Sequence, residues 1–425
     1  MGTMKNKIFA LIDANNFYAS CERVFNPILE HQPIVILSSN DGCVIARSNE
    51  AKALGIKMSE PFFKLQYLIK SHNVKAISSN FTLYGDMSRR MMTILEGFSP
   101  SCEIYSIDEC FLDFSHLTAE QIASECQIIR AKVKKWLGLP VSIGVGSTKT
   151  LAKLAINIAK KRNDGSYHLA TDQQRLEALE LTDIKDVWGI GASYSNKLKS
   201  IGINSALDLV NCPDELIKKQ TNILGLKTVL ELRGLACLDL AEIAEPKQSI
   251  TVSRSFGQEI KDYTTLNQAA AYFASKAAEK LRRSGQMTKS ITVFIRTNPF
   301  SKNAKQYSNT ANIKLDYPTD STPALLTAVS KALRSIYRAE YSYKKAGILI
   351  NDFCPKTNNA FDLFDKPKLR EVSSKLMAAI DKINNDYGGR TIFYASSGTT
   401  QEWLPKSSMK SASYTSNWQD IIKVN

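Results

Sequence analysis

Two adjacent acids, Asp108 and Glu109, interrupt what otherwise reads as two short β-runs. Ile104, Tyr105 and Ile107 precede them, and Phe111, Leu112 and Phe114 follow. These strand-favouring apolar residues predict a hairpin over residues 103–114 with carboxylates at its tip. A second β-run, residues 8–12, ends in a third acid, Asp13. If the two runs are sheet neighbours, three carboxylates meet at one sheet edge and repel one another unless a hard cation neutralises them. Oxygen-only donors suit magnesium, with manganese as the alternative, and not zinc. Adjacent acids at a turn are also what an ordinary solvated turn contains, so the residues alone leave both readings standing.

Composition narrows the setting. The chain has 425 residues, 44% of them hydrophobic, which exceeds one ordinary core and predicts three or four domains. Lys plus Arg number 55 against 41 Asp plus Glu, a net charge of +14 that points to a polyanionic partner, most simply nucleic acid. Eight cysteines are scattered without a C-x-x-C pair, and the four histidines do not cluster with them. That argues against zinc sites and a disulfide framework and fits a reducing compartment. No apolar run approaches the roughly 20 residues that span a bilayer, and no signal-peptide core is present, so the expectation is a cytoplasmic protein without membrane contact.

The elements that must position the acids are legible from period and turn chemistry. Residues 14–22 read as a strand-to-helix turn, which keeps Phe17 and Tyr18 close to Asp13. Residues 33–37 and 43–47 form a predicted hairpin around the turn residues 38–42, followed by a helix over 48–54 that carries Lys52 and stops at Gly55. Met87, Met91, Ile94, Leu95 and Phe98 give a helical period that runs into the acidic hairpin, and a helix over 118–137 and a strand over 141–145 follow. The order strand, helix, hairpin, helix, strand is the split βαβ, ferredoxin-like pattern, which sets the first strand beside the hairpin. Residues 146–150 then open a helix bearing Lys149, Lys153, Lys160 and Lys161. It reads either as a phosphate-binding helix start or as a solvated lysine face, and it lacks the full P-loop pattern.

Residues 171–241 read as short helices. Within them Gly189 and Gly191 alternate with apolar residues, as in a helix-hairpin-helix whose backbone N–H groups meet a DNA phosphate, or as in an ordinary helix connection. After a linker at 242–247, strands at 249–260, 289–297, 311–315 and 345–350 alternate with helices at 266–284 and 323–337, a second βαββαβ unit. Residues 246–352 hold 17 Lys and Arg against 7 Asp and Glu with no acid cluster, which reads as a clamp on a nucleic-acid backbone. Beyond Asn351 the signals thin. Phe361, Leu363 and Phe364 form an isolated apolar cluster in a polar tail, either a docking peptide or a segment that folds back.

Taken together, residues 13–18, residues 105–109, Gly144-Val145-Gly146 and Val187-Trp188-Gly189-Ile190-Gly191 resemble the Y-family translesion DNA polymerases. Residues 39–47, 50–55, 149–155 and 253–257 extend the resemblance over nearly the whole chain. It implies an α+β multidomain, right-hand fold: a ferredoxin-like palm (1–16 and 83–170), small fingers (17–82), a helical thumb with the helix-hairpin-helix (171–243), a βαββαβ little finger (247–352) and a partner-binding tail (353–425). It implies error-prone, template-directed synthesis from dNTPs on primer–template DNA during the SOS response. Asp13, Asp108 and Glu109 would hold two magnesium ions, with the carbonyl of Ala14 as a further ligand.

In the same resemblance Tyr18 stands at the steric-gate position, where an aromatic ring rejects a 2′-hydroxyl, although by residue type alone such a tyrosine is more often a core residue. Phe17, Tyr18, Lys52 and Lys160 match nucleotide contacts, and Gly189, Gly191 and Arg254 match DNA contacts. Many relatives carry arginine in place of Lys52 and an aromatic in place of Asn49, so the triphosphate grip differs in detail. Implied partners are a UmuD′-like dimer, a RecA filament and the β sliding clamp. The clamp peptide aligns with Phe361, Leu363 and Phe364, but Ala360 replaces the usual glutamine, a loss of about 1 kcal/mol. Two other functions use the same residues: a palm-fold nucleotidyl cyclase and a non-catalytic DNA-binding accessory factor. The helix-hairpin-helix and basic second sheet argue against the first, and the joint presence of Asp13, Asp108, Glu109 and Tyr18 against the second.

Overall fold

The computed structural model describes residues 7–241, 246–301, 304–356 and 367–421. The chain divides into two compact units, one of residues 1–38, 42–244 and 409–425, the other of residues 39–41 and 245–408. No helix among the described residues is long and apolar enough to cross a membrane.

In the first unit the apolar run of β1 (Phe9–Ala14) is buried at every position, as a strand covered on both faces must be. Asn16 then adopts a left-handed conformation, φ 50°, which asparagine tolerates, and turns the chain into α1 (Phe17–Phe25). A small layer follows: β2 (Ile34–Leu37), β3 (Val44–Arg47), α2 (Asn49–Ala53), α3 (Gln66–Ser71) and β4 (Lys75–Ser78). Its sheet runs β3-β2-β4, with β2 antiparallel to β3 and parallel to β4. The chain returns through α4 (Phe81–Glu96), the hairpin β5 (Cys102–Ile104) and β6 (Glu109–Asp113), α5 (Ala119–Leu137), β7 (Val141–Gly146), α6 (Lys149–Ala159) and β8 (Ser166–His168).

The resulting sheet has the order β5-β6-β1-β7-β8, with β1 antiparallel to both β6 and β7. This is the split βαβ arrangement expected from the element order. One face packs on a core that includes Met87, Met91 and Leu95 of α4 and Ile122, Ile129 and Val133 of α5. The other packs Phe9, Leu11 and Phe111 against Ala152 and Ile156 of α6. Gly144 permits that approach, since a Cβ there would lie 2.3 Å from the backbone nitrogen of Ile156. Five helices continue the unit: α7 (Asp172–Glu180), α8 (Ala192–Lys199), α9 (Ala206–Val210), α10 (Asp214–Gln220) and α11 (Ile223–Leu232). They share a core with Leu151 and Leu154 of α6.

The second unit contains β9 (Ser249–Ile260), α12 (Tyr263–Arg283), β10 (Gln286–Thr297), β11 (Ser308–Thr319), α13 (Thr322–Ile336) and β12 (Tyr343–Pro355), in the sheet order β11-β10-β12-β9. Its helices cover one sheet face, through Phe273, Leu281 and Val329 packed on Val252, Val293 and Ile348. β10 and β11 are longer than their apolar runs suggest, because the polar residues of the open face hide the strand ends from a reading of hydrophobicity.

The thinning expected beyond Asn351 is corrected. β12 runs to Pro355, and α14 (Pro367–Asp386) is a helix of 20 residues. It was hidden because a helix that docks by one face reads as polar overall. Met377 is buried, and Asp381 receives a two-point ion pair from Arg282 of α12, at 2.6 and 2.7 Å. Trp403 is 2% exposed in the core of this unit, against Phe256, Tyr272 and Phe273. Residues 409–421 return to the first unit, where Met409 packs on the core of the three-stranded layer and Tyr414 stacks on Phe25. Phe361, Leu363 and Phe364 lie outside the described residues.

Candidate active site

Strand register brings the acids together. Asp13 is the direct partner of Glu109 across the β1–β6 ladder, and the N–H of Ala14 donates to the carbonyl of Asp108 at 2.9 Å. The convergence lies in the backbone, and the side chains have parted. Lys160 Nζ donates to Asp13 Oδ2 at 2.7 Å, Lys153 Nζ to Glu109 Oε1 at 2.6 Å, and Ser106 Oγ to Asp108 Oδ1 at 2.6 Å. Among the described residues no three acid, histidine or cysteine side chains converge tightly enough to hold a metal ion.

Asp13 is 8% exposed, and its carboxyl is pushed up to about 6. Burial is the main cause, opposed by Lys160 and reinforced by the negative charges of Glu109 and Asp108. The edge thus carries three carboxylates, hard oxygen donors of the kind that fit a divalent cation by the chemistry of the donor set.

Tyr18, on the first turn of α1, is half-buried. Its ring stacks on Tyr84 at 4.4 Å and 15° and meets Phe81 edge-on at 6.2 Å. Burial, and next the charge of Asp108, raises its hydroxyl pKa. Phe17 requires a correction. It is 3% exposed in the core, so its ring is closed to a nucleotide. Adjacent positions on a helix point about 100° apart, and only one of this aromatic pair can face the cleft.

Lys52 Nζ donates to Asn16 Oδ1 at 2.6 Å and to Asn49 Oδ1 at 3.3 Å. Its ammonium is held below the usual lysine range by burial, then by the positive charges of Arg47 and Lys160, with Asp13 opposing. Arg47 belongs to this cation group and was not among the residues singled out from the sequence. Its guanidinium donates to the carbonyl of Ile56, while its buried Nε has no hydrogen-bond partner among the described residues. The signal available was its place at the end of a predicted strand, two residues before the lysine helix.

The helix start at residues 146–150 is occupied from within the fold. The first turn of α6 is filled by Glu231 of α11, whose Oε2 accepts from the Thr150 N–H at 2.9 Å and the Thr150 hydroxyl at 2.8 Å. Glu231 is fully buried, so no phosphate reaches that turn. The lysines divide: Lys149 is buried in an ion pair with Glu103 at 2.6 Å, and Lys153 lies over the Tyr105 ring at 4.5 Å while it pairs Glu109, whereas Lys160 and Lys161 are exposed.

Gly189 has φ +87°, and Gly191 begins α8 without a side-chain cap; both are exposed. Trp188 ties this loop to the acidic hairpin, its Nε1 donating to the Tyr105 hydroxyl at 3.1 Å. Arg254 is exposed on β9 of the second unit, with Nη1 donating to the carbonyl of Ser253. On that unit's sheet Arg296 and Lys345 are direct cross-strand partners, two like charges that destabilise the ladder unless an anion lies against them.

Three family models match the chain: the impB/mucB/samB family over residues 12–157, the impB/mucB/samB family C-terminal domain over 247–363, and a domain of unknown function, DUF4113, over 374–424. The protein UmuC of Salmonella typhimurium is 42% identical, with 98% of this chain and 100% of the relative covered. ImpB of the same organism is 41% identical, with 97% and 99% covered. A DNA polymerase IV of Dehalococcoides mccartyi is 27% identical over 89% of this chain and 94% of its own. Among solved structures, a Y-family DNA polymerase chimera of Dbh and Dpo4 matches with a TM-score of 0.66 at 20% identity, covering 82% of this chain and 99% of that one. An insertion ternary complex of Dbh DNA polymerase matches at 0.56, with 20% identity and the same coverage.

Proposed function

The chain belongs to the impB/mucB/samB family of Y-family DNA polymerases, and from that premise we propose how its residues divide the labour of error-prone translesion synthesis. It is a DNA-directed DNA polymerase that binds DNA and nucleotides, and it depends on divalent metal. The observation that carries the site assignment is the register that sets Asp13 opposite Glu109 with Asp108 adjoining, beside the cations Arg47, Lys52 and Lys160.

In our assignment Asp13, Asp108, Glu109 and the carbonyl of Ala14 hold magnesium, with manganese as the alternative. A divalent cation held by these residues would supply Lewis acidity toward the primer 3′-hydroxyl and positive charge toward the departing pyrophosphate. Lys52, Lys160 and Arg47 bind the triphosphate as the complement of its negative charge. Tyr18 closes the space beneath the sugar and excludes a 2′-hydroxyl. The exposed N–H groups at Gly189 and Gly191 hold a DNA phosphate, and the basic sheet with Arg254, Arg296 and Lys345 grips the backbone.

We keep the palm at 1–16 and 83–170, the fingers at 17–82, the thumb at 171–243 and the little finger at 247–352. A UmuD′-like dimer, a RecA filament and the β sliding clamp are the proposed partners, the clamp contact being weak at Phe361, Leu363 and Phe364 because Ala360 lacks the glutamine amide. A genomic DNA substrate puts the enzyme in the cytoplasm.

The test is primer extension across a template abasic site with magnesium and dNTPs, wild type against Asp108→Ala, each with and without the UmuD′-like dimer and activated RecA. Extension by wild type that Asp108→Ala abolishes is the expected result. Extension that survives Asp108→Ala would remove the acids from the reaction.

A further inference from the structure

We propose that residues 409–414, at the C-terminal end of the chain, position the sugar-sensing ring of Tyr18, so that a segment remote in sequence sets discrimination between deoxyribonucleotides and ribonucleotides. The inference rests on the reading of Tyr18 given above. All the residues involved belong to the first unit.

Tyr18, Glu22 and Phe25 recur at i, i+4 and i+7, so they form one stripe along α1. Each is held by a ring or donor from outside the helix. Tyr18 lies flat on Tyr84, which is fully buried and therefore acts as a fixed plate. The hydroxyl of Tyr84 donates to Glu22 Oε1 at 2.7 Å. The same carboxylate oxygen accepts from Ser411 Oγ at 3.1 Å, and Phe25 stacks on Tyr414 at 5.0 Å and 8°.

Glu22 is 1% exposed, and burial raises its carboxyl pKa against the hydrogen bonds of Tyr84 and Ser411 and the charge of Lys410. A carboxylate so placed needs every donor it has. Lys410, Ser411 and Tyr414, which settle or cover this stripe beside Tyr84 and Phe81, come from the C-terminal run.

The run is itself anchored at the start of α4, the helix that carries Tyr84. Asn80 caps α4 by accepting from the Leu83 N–H, and its amide donates to Ser411 Oγ at 3.0 Å and to the Ala412 carbonyl at 3.2 Å. Ser78 and Met409 exchange two further hydrogen bonds, both at 3.0 Å. A change at Ser411 therefore reaches Tyr84 from both sides, through the carboxylate that holds its hydroxyl and through the residue that caps its helix. Tyr18 moves with the ring it rests on. Ser411 touches no reacting atom and is a positioning residue. The segment falls within the stretch matched by the domain of unknown function, to which this assigns a role.

The test measures kcat/KM for one dNTP and its rNTP on undamaged template, in the full-length protein with its partners. Ser411→Ala and Tyr84→Phe each remove one donor to Glu22 and keep the rings in place. Both are expected to raise rNTP use relative to dNTP roughly three- to tenfold while dNTP efficiency holds, and Ser411→Thr is expected to restore the wild-type ratio. Tyr18→Ala serves as the reference and relaxes the ratio furthest. An unchanged ratio in both donor variants, with Tyr18→Ala relaxed, overturns the proposal, as does an equal loss for both sugars. If Tyr18→Ala itself leaves the ratio unchanged, the gate assignment fails and the proposal falls with it.

Discussion

Two sheets in this chain are built from the same succession of elements, strand, helix, hairpin, helix, strand, and do opposite things. In the five-stranded sheet, which we assign to the palm, the first strand is interior, between the hairpin strand β6 and the strand β7, so the ends of three strands meet. In the four-stranded sheet, which we assign to the little finger, the first strand, β9, is at the edge and pairs with β12, away from the hairpin. The palm gathers anions and answers them with lysines; the little finger sets cation beside cation at Arg296 and Lys345. Element order is therefore no guide to function by itself. Which strand ends the wiring brings together decides whether a sheet can be a reaction centre or only a surface.

The comparison breaks most visibly at the palm acids. Asp13→Asn is expected to cut kcat/KM for incorporation at least about a thousandfold, while DNA affinity measured by anisotropy is retained. A variant that keeps near-wild-type turnover would mean that the meeting of strand ends has no catalytic meaning.

Next in size are the two glycines beneath close approaches. A Cβ at Gly144 meets the backbone of α6, which cannot yield, whereas at Gly347 in the little finger it meets the ring of Phe294 at 2.3 Å and the Cβ of Ser253 at 2.4 Å. Gly144→Ala is expected to cost about 3 kcal/mol by thermal or urea unfolding, and Gly347→Ala about 1–2 kcal/mol. A reversed order would show that the palm helix is the looser packing.

The double variant Arg296→Thr, Lys345→Thr is expected to weaken DNA binding about tenfold at low salt and to flatten the salt dependence by about two, with kcat unchanged. The same double variant gives the smallest effect. Relief of the like-charge pair should stabilise the DNA-free protein by a few tenths of a kcal/mol, roughly 0.2–1 kcal/mol, read as a rise in Tm. Loss of stability would mean that the pair is already neutralised within the fold.

Much of the palm was legible from sequence because its signals are local: a fully apolar strand that ends in Asp13, a hairpin with acids at its tip, and helices of clean period. What escaped depends on partners distant along the chain. Glu231 takes the α6 helix start from 81 residues away, and Lys153 and Lys149 gain their acids only once α6 lies on the sheet. Phe17 and Tyr18 are indistinguishable by type, and only the rotation of α1 tells which one is buried. Arg47 became visible when the end of β3 came round to Lys52. α14 and Trp403 were missed because the partners that hold them, Arg282 for the helix and Phe256, Tyr272 and Phe273 for the ring, lie far back along the same unit.

The return of residues 409–421 to the first unit has a consequence for how the chain comes into being. Synthesis proceeds from the N-terminus and domains tend to fold as they emerge. Here the second unit completes its core at Trp403, whereas the first draws on Met409 and Tyr414 from beyond it, so the first unit is the later of the two to close. A chain cut between Trp403 and Met409 would keep the core of its second unit whole and leave the first without the residues that pack beneath α1.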